Sequence, residues 1–443
     1  MRRLLFIFSF LSLLVVDGKA QEVETLTLED CLRIGIDNNL SLEGKRKEIQ
    51  KSKYGVSENR SKLLPQITAI AGYNNNFDPP VSVTDGSSYG VPYNITKTLQ
   101  HTANAGLEMQ MPLFNQTLYT SMSIAKVMEE ISRLSYGKAR EDIIMQISKM
   151  YYLGQVTAEQ IVLIKANITR LEELRDITQA FFDNGMSMEV DLKRVNINLE
   201  NLKVQYDNAQ AMMKQQLNML KYIMDYPAEK EFVLTPVNTD SITTVALTGL
   251  SENIYELQLS QSQVQLAEKQ KKIISNGYIP SLSLTGSWRY AAYTDKGYHW
   301  FHSGPSNHWF RSYGLGLTLR IPIFDGLDKT YKIKKAMIDI ENSKLAWENA
   351  RKSLQTQYLN AVNDLMNNQR NFKKQKDNYL LAEDVYTVTS DRYREGIASM
   401  TEVLQDEMQM SEAQNNYISA HYNYRVTNLM LLKLTGQIES LVK

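Results

Sequence analysis

The feature that most constrains the fold is a change of period inside one short stretch, residues 312–326, SYGLGLTLRIPIFDG. Tyr313, Leu315, Leu317, Leu319 and Ile321 alternate with Gly314, Gly316, Thr318 and Arg320, a period of two that makes a strand with one apolar and one polar face. Pro322 then removes a backbone donor, Asp325-Gly326 supplies a turn, and from Leu327 the pattern is helical for roughly seventy residues. The chain carries the same junction a second time. In residues 103–116, ANAGLEMQMPLFNQ, the apolar row is Leu107, Met109, Met111 and Leu113. Glu108 and Gln110 form the polar row, and Pro112 and Phe114 match Pro322 and Phe324.

Around these junctions the chain repeats one plan. Residues 26–64 predict a helix, opened by the capping-box spacing Thr27-Leu-Glu-Asp30 and ended by Pro65. Cys31 belongs on its buried face. A strand over 66–77 follows, then a Pro, Gly, Ser and Asn-rich exposed loop over 78–102, then the strand over 103–113. Residues 114–182 contain no proline and predict one helix of roughly 100 Å, too long for a globular core and suited to a coiled coil or tunnel. Asp183-Asn184-Gly185 breaks it. A second helix covers 188–224 and ends at Asp225-Tyr226-Pro227, and 229–250 is a less regular connector. The plan then recurs: helix over 252–277, strand over 281–291, an aromatic loop over 292–311, the opening junction, a helix over 327–394, a break at Glu395-Gly396, and a helix to Leu434. Pro65 and Pro280, Pro112 and Pro322, Gly185 and Gly396 are each about 210 residues apart, the mark of a tandem duplication. The expected division is a signal peptide at 1–20, a first repeat at 21–226, a connector at 227–250 and a second repeat at 251–443.

Lys+Arg and Asp+Glu are both 49, so no net charge points to nucleic acid, and the charges are spread over helix faces. One cysteine excludes an internal disulfide and a cysteine metal cluster. Residues 1–20 read as a secretory signal: Arg2 and Arg3, an apolar run over 4–16, then Gly18-Lys19-Ala20. That run is short for a membrane span, and no later segment qualifies. Export without a spanning helix leaves the periplasm, secretion or an outer-membrane barrel.

Four strands of roughly eleven residues have the length of membrane-crossing strands. Four cannot close a barrel, and lipid tolerates no open sheet edge, so strands must be pooled between chains. Three chains give twelve, enough to leave a lumen lined by the polar rows, including Arg289 and Arg320. A soluble β-sandwich with coiled-coil arms explains the alternation as well. It does not explain large and aromatic residues on one strand face behind a signal sequence.

The residues 321–326, IPIFDG, the Pro65 and Pro280 strand starts and the two glycine turns make the chain similar to the TolC-like outer membrane efflux protein family, over essentially all of its mature length. The resemblance implies a mixed α and β fold: a homotrimeric 12-stranded outer-membrane β-barrel, four strands per chain, continuous with a periplasmic α-helical coiled-coil barrel. It implies no catalysis and no cofactor. The implied role is a passive duct for drugs and toxic compounds, docked to a periplasmic adaptor (membrane fusion) protein and an inner-membrane RND or ABC transporter. The same architecture would serve as the outer-membrane channel of a type I protein secretion system. A non-conducting coiled-coil protein of the envelope is the alternative outside transport.

The resemblance also places residues. The turns at Gly185-Met186 and Gly396-Ile397 would lie at the periplasmic tips, with Met186 and Ile397 as adaptor contacts or as packing between neighbouring hairpins. Glu402, Gln405 and Asp406 share a helix face by i, i+3, i+4 spacing. In the family, acidic residues three apart at this place ring the lumen at its narrowest point, and here Gln405 replaces the second acid; an ordinary solvated face is the alternative. Asp191 and Tyr393 match two latch positions that hold inner and outer hairpins together. The basic latch partner falls on Ala398, so that ion pair is missing, which implies a weaker latch unless Arg392 or Arg394 substitutes. Three histidines in the second loop, within Tyr298-His-Trp-Phe-His302 and at His308, suit an aromatic membrane-interface girdle, with a metal site as the alternative. No nucleophile–base pair or phosphate-cradling loop supports an enzyme.

Overall fold

The two strand–helix junctions are built alike. The computed structural model describes residues 24–236, 248–294 and 309–442, so the signal sequence and the three loop histidines lie outside the described residues. Strand β5 (His101–Phe114) runs into helix α3 (Gln116–Asp183), and β8 (Trp309–Arg320) into α6 (Asp328–Arg394). At the first junction the Asn115 side chain accepts hydrogen bonds from the Thr117 and Leu118 amides. At the second, Asp325 accepts from the Lys329 amide at 3.2 Å and pairs with its ammonium at 2.8 Å. Each side chain satisfies amides that the first helical turn leaves open.

Strands β2 (Gln66–Asn75) and β7 (Ser281–Thr294) complete one antiparallel sheet in the order β2-β5-β7-β8. Its register keeps the two faces chemically separate. Gln66 opposes Gln110, Gln110 opposes Thr285, and Thr285 opposes Gly316, all on the polar face. Leu107 opposes Trp288, and Trp288 opposes Tyr313, on the apolar face. The first repeat supplies β2 and β5, the second β7 and β8, so the repeats join at the centre of the sheet. Among the described residues, both outer edges, β2 and β8, are unpaired.

The helices continue this joining. Helix α4 (Glu189–Met224) folds back on α3, and α7 (Met400–Leu434) folds back on α6. Helix α5 (Tyr255–Asn276) sits between α6 of its own repeat and α3 of the other. Its counterpart α2 (Leu40–Ser61) packs mainly on α3, and only Leu42 along it is buried.

Four expectations are corrected. The helix over 26–64 is two helices, α1 (Leu28–Asn38) and α2, because Asn39 leaves helical geometry and caps α2 through the amides of Ser41 and Leu42. The exposed loop over 78–102 contains a hairpin, β3 (Val81–Asp85) paired with β4 (Tyr93–Lys97); its Val, Ile and Tyr positions alternate with Ser, Thr and Asn. The connector holds β6 (Phe232–Leu234), which pairs in parallel with β1 (Glu24–Leu26). The second loop, expected over 292–311, is shortened by strands that reach Thr294 and begin again at Trp309.

Burial is concentrated in separate clusters along the helices. One gathers Leu26, Leu32, Ile144, Ile147, Leu220 and Met224 where α1, α3, α4 and β1 meet. Cys31 lies in it, fully buried, and burial pushes its thiol pKa to about 12. A second cluster, with Leu171, Leu174, Leu199, Val403 and Met410, binds the far ends of all four long helices. Among the described residues no helix is long and apolar enough to cross a membrane.

Candidate functional site

The two long hairpins end side by side, and each reverses through the same device. In the first, the Gly185 amide donates to the Phe182 carbonyl at 2.9 Å and Met186 to Phe181 at 2.7 Å. In the second, Gly396 donates to Tyr393 at 2.9 Å and Ile397 to Arg392 at 2.8 Å. This paired pattern closes the last helical turn and needs a left-handed residue, and both glycines have it, with φ of 73° and 76°. Met186 and Ile397 follow at 69% and 62% exposure, apolar side chains held out from the ends of the hairpins.

The next helices start at equivalent residues, Met188 and Ser399. Ser399 makes a full capping box with Glu402: its hydroxyl accepts from the Glu402 amide, and the Glu402 carboxylate accepts from the Ser399 amide at 2.7 Å and hydroxyl at 3.0 Å. The Ser399 amide and hydroxyl, with Arg392 nearby, hold the Glu402 carboxyl below its usual range, so it is charged at neutral pH. Gln405 is exposed and Asp406 half-buried on the same side, while Val403, Leu404 and Glu407 turn inward. Asp191 is the third residue of its helix, as Glu402 is of α7. The positive helix end favours an acid at both places. The fixed position of Glu402 is therefore set by helix capping, and its charge is still offered to solvent.

Asp191 and Tyr393 are not hydrogen-bonded to one another. Asp191 pairs with Arg194 at 3.1 Å, and Arg194 reaches the Thr401 hydroxyl of α7 at 3.5 Å. Tyr393 is buried against Phe181, and its hydroxyl donates to Thr178 of α3 at 3.3 Å. Each therefore ties one hairpin to the other through a different partner. Arg394 does the same, pairing with Glu173 of α3 at 3.3 Å, whereas Arg392 has no ion-pair partner among the described residues.

Sequence reasoning missed a polar network further along this seam. Arg170 of α3 pairs with Glu383 of α6 at 3.2 Å and donates to Asn167 at 2.5 Å. Asn167 in turn donates to Gln414 of α7 at 2.7 Å. Glu407 of α7 is 5% exposed beside this group with one carboxylate oxygen unpartnered, and burial raises its pKa while Arg170 opposes the rise. Its position among Met400, Val403, Leu404 and Met410, at helical spacing, was a usable signal: a carboxylate on an apolar stripe. Among the described residues, no group of His, Cys, Asp and Glu is arranged to hold a metal ion.

The relation to known proteins follows from this arrangement of repeats, junctions and glycine turns. Residues 34–224 and 240–437 match the outer membrane efflux protein family. The chain belongs to that family. The outer membrane protein TolC of Vibrio cholerae is 21% identical over 396 residues, covering 86% of this chain and 84% of that one. Among solved structures, the open-state outer membrane channel MtrE of Neisseria gonorrhoeae superposes with a TM-score of 0.74 at 18% identity, covering 92% of this chain and 88% of that one. The outer membrane protein VceC of Vibrio cholerae gives 0.73 at 14%, with 92% and 96% covered. At these identities the structural likeness establishes the fold. The family is one of outer-membrane efflux channels, not of enzymes.

Proposed function

We propose that three copies of this chain form a trans-envelope exit duct, a twelve-stranded barrel in the outer membrane continuous with a periplasmic helical tube, which passes small molecules outward by diffusion. The observation that carries this reading is the one-sided joining of the repeats. Inside the chain, β5 pairs with β7 and α5 packs on α3. On the outer side, β2 has a free edge and α2 a free flank where the same contacts would fall. The free β8 edge and α6 flank are their complements. Because β2 and β8 run in opposite directions, a neighbouring β8 meets β2 antiparallel, as β7 meets β5 within the chain. Such a head-to-tail interface makes a ring where its rotation closes, and a closed ring leaves no lipid-exposed sheet edge. The apolar face of the sheet is then the lipid face, and the polar face lines the lumen.

Docking would use the hairpin ends: Gly185-Met186 and Gly396-Ile397 face a periplasmic adaptor, which links the duct to an energised inner-membrane pump of the RND or ABC kind. One relative, the toluene efflux pump outer membrane protein TtgC of Pseudomonas putida, is 23% identical, which supports small-molecule efflux as the role. Three copies of Glu402, with Asp406 beside them, would form a cation-attracting ring at the narrow end. Tyr393–Thr178 and Arg194–Thr401 would hold that end narrow. The test is planar-bilayer conductance of the purified protein beside Glu402→Ala. Discrete channels whose cation preference falls in the variant agree with both duct and ring. Channels indifferent to the change move the constriction elsewhere, and no channel in either protein defeats the duct.

A further inference from the structure

The polar face of the sheet carries charge at few positions. Following the register across β2, β5, β7 and β8, its charged residues are Glu108, Arg289 and Arg320. Glu108 and Arg289 lie on adjacent strands and form an ion pair, so they neutralise each other. The Arg320 side chain has no ion-pair or hydrogen-bond partner among the described residues and is exposed. It is level with Ser281, whereas Glu108 is level with Ser287, six residues along the strand and about 20 Å away. That exceeds the Debye length of about 8 Å at physiological salt, so the pair does not compensate it. The nearest acids in sequence are also engaged: Asp325 with Lys329 at 2.8 Å and Asp328 with Lys332 at 2.7 Å. The strand that closing the barrel sets beside β8 adds no carboxylate, because the polar-face residues of β2 are Gln66, Thr68, Ile70, Gly72 and Asn74, all uncharged in any register, and the Glu108 one strand further on is held by its own Arg289.

We infer that Arg320 is a selectivity residue: one uncompensated cation per chain on the lumen face, making a three-fold positive ring where barrel meets tube, which favours organic and inorganic anions. This rests on the duct reading above. It goes beyond that reading by giving the conduit two filters of opposite sign, a negative one at the hairpin ends and a positive one at the barrel base, separated by most of the roughly 100 Å of α3. Small neighbours strengthen the effect, since Thr318, Gly316 and Gly314 extend less far from the β8 face than the guanidinium.

The chain lends itself to a direct test, because its single cysteine is fully buried with its thiol held protonated. In the full-length protein carrying Glu402→Ala, which takes one charge per chain out of the opposing ring, Arg320→Cys is compared with the parent by reversal potential across a salt gradient. The cation-to-anion permeability ratio should rise about two- to threefold near 10 mM salt, where the Debye length is about 30 Å, and be unchanged near 1 M, where it is about 3 Å. A positively charged methanethiosulfonate reagent should return the parent ratio, and a negatively charged one should drive the ratio further toward cations. Leu319→Cys, one residue along on the apolar face, should respond to neither. Where the cysteine variant does not assemble, Arg320→Gln carries the same expectation and Arg320→Lys should keep the parent ratio. An unchanged ratio in Arg320→Cys and in its negatively charged adduct overturns the inference, as does an equal response at Leu319→Cys, while the duct reading survives both. Absence of any conductance in the parent protein removes the duct and this ring together.

Discussion

Glu141 gives the sharpest stability prediction. It lies on α3 at 4% exposure, flanked by the Lys433–Asp142 and Arg140–Glu439 ion pairs, each at 2.6 Å. Burial raises its carboxyl from the ordinary 4.5 to about 7; Lys433 opposes the rise, and Glu439 and Asp142 add to it. Below pH 4.5 the folded and unfolded chains are both protonated there. Between 4.5 and about 7 the folded chain keeps a proton that the unfolded chain releases, so stability falls as pH rises and then levels off. At about 1.4 kcal/mol per pH unit the full loss has a ceiling of about 3 kcal/mol per chain, reduced to roughly 1–2 by water reaching the site. Glu141→Gln keeps the shape and removes the titration. Its stability relative to the parent should therefore rise by that amount between pH 5 and pH 8, read from guanidinium unfolding or, if unfolding is irreversible, from unfolding rates at both pH values. A difference between the two proteins that does not change with pH would rule out a raised Glu141 carboxyl in the folded chain.

Other outcomes follow from the hairpin ends. Ser399→Ala removes the α7 cap and should cost about 1 kcal/mol, with the Glu402 carboxyl titrating closer to its usual range by NMR. Gly396→Ala forces a side chain into the left-handed region and should cost about 1 kcal/mol in thermal unfolding, and Gly185→Ala the same. Tyr393→Phe loses the hydrogen bond to Thr178, about 1 kcal/mol, and should raise single-channel open probability without altering conductance.

The fold was legible because period changes are sharp. Strict alternation up to Ile321 and helical spacing after Leu327 fixed one junction, and its copy at 103–116 fixed the other. The break at Asn39 was not legible, since Asn is tolerated in helices and its capping role shows only when its carbonyl meets the Ser41 and Leu42 amides. The β3–β4 hairpin was hidden by its Pro, Gly and Ser content, although Val81, Val83, Tyr93 and Ile95 alternate. At the hairpin ends the glycines announced themselves, while the seam contacts Arg194–Thr401, Tyr393–Thr178 and Arg170–Glu383 join residues some two hundred positions apart. Periodicity says nothing about such pairings. Arg289 and Arg320 looked alike in sequence, and only the strand register separates the neutralised one from the free one.

A trimeric barrel requires that the free β2 edge of one chain meet the free β8 edge of the next. Cysteine pairs placed along the two edges, such as Ala69→Cys with Leu317→Cys and neighbouring registers, test it against the buried Cys31 background. Oxidised in the membrane and run without reductant, at least one register should give a covalent ladder that stops at three chains. Cross-links confined to single chains in every register, or a ladder that continues past three, would contradict the trimeric barrel.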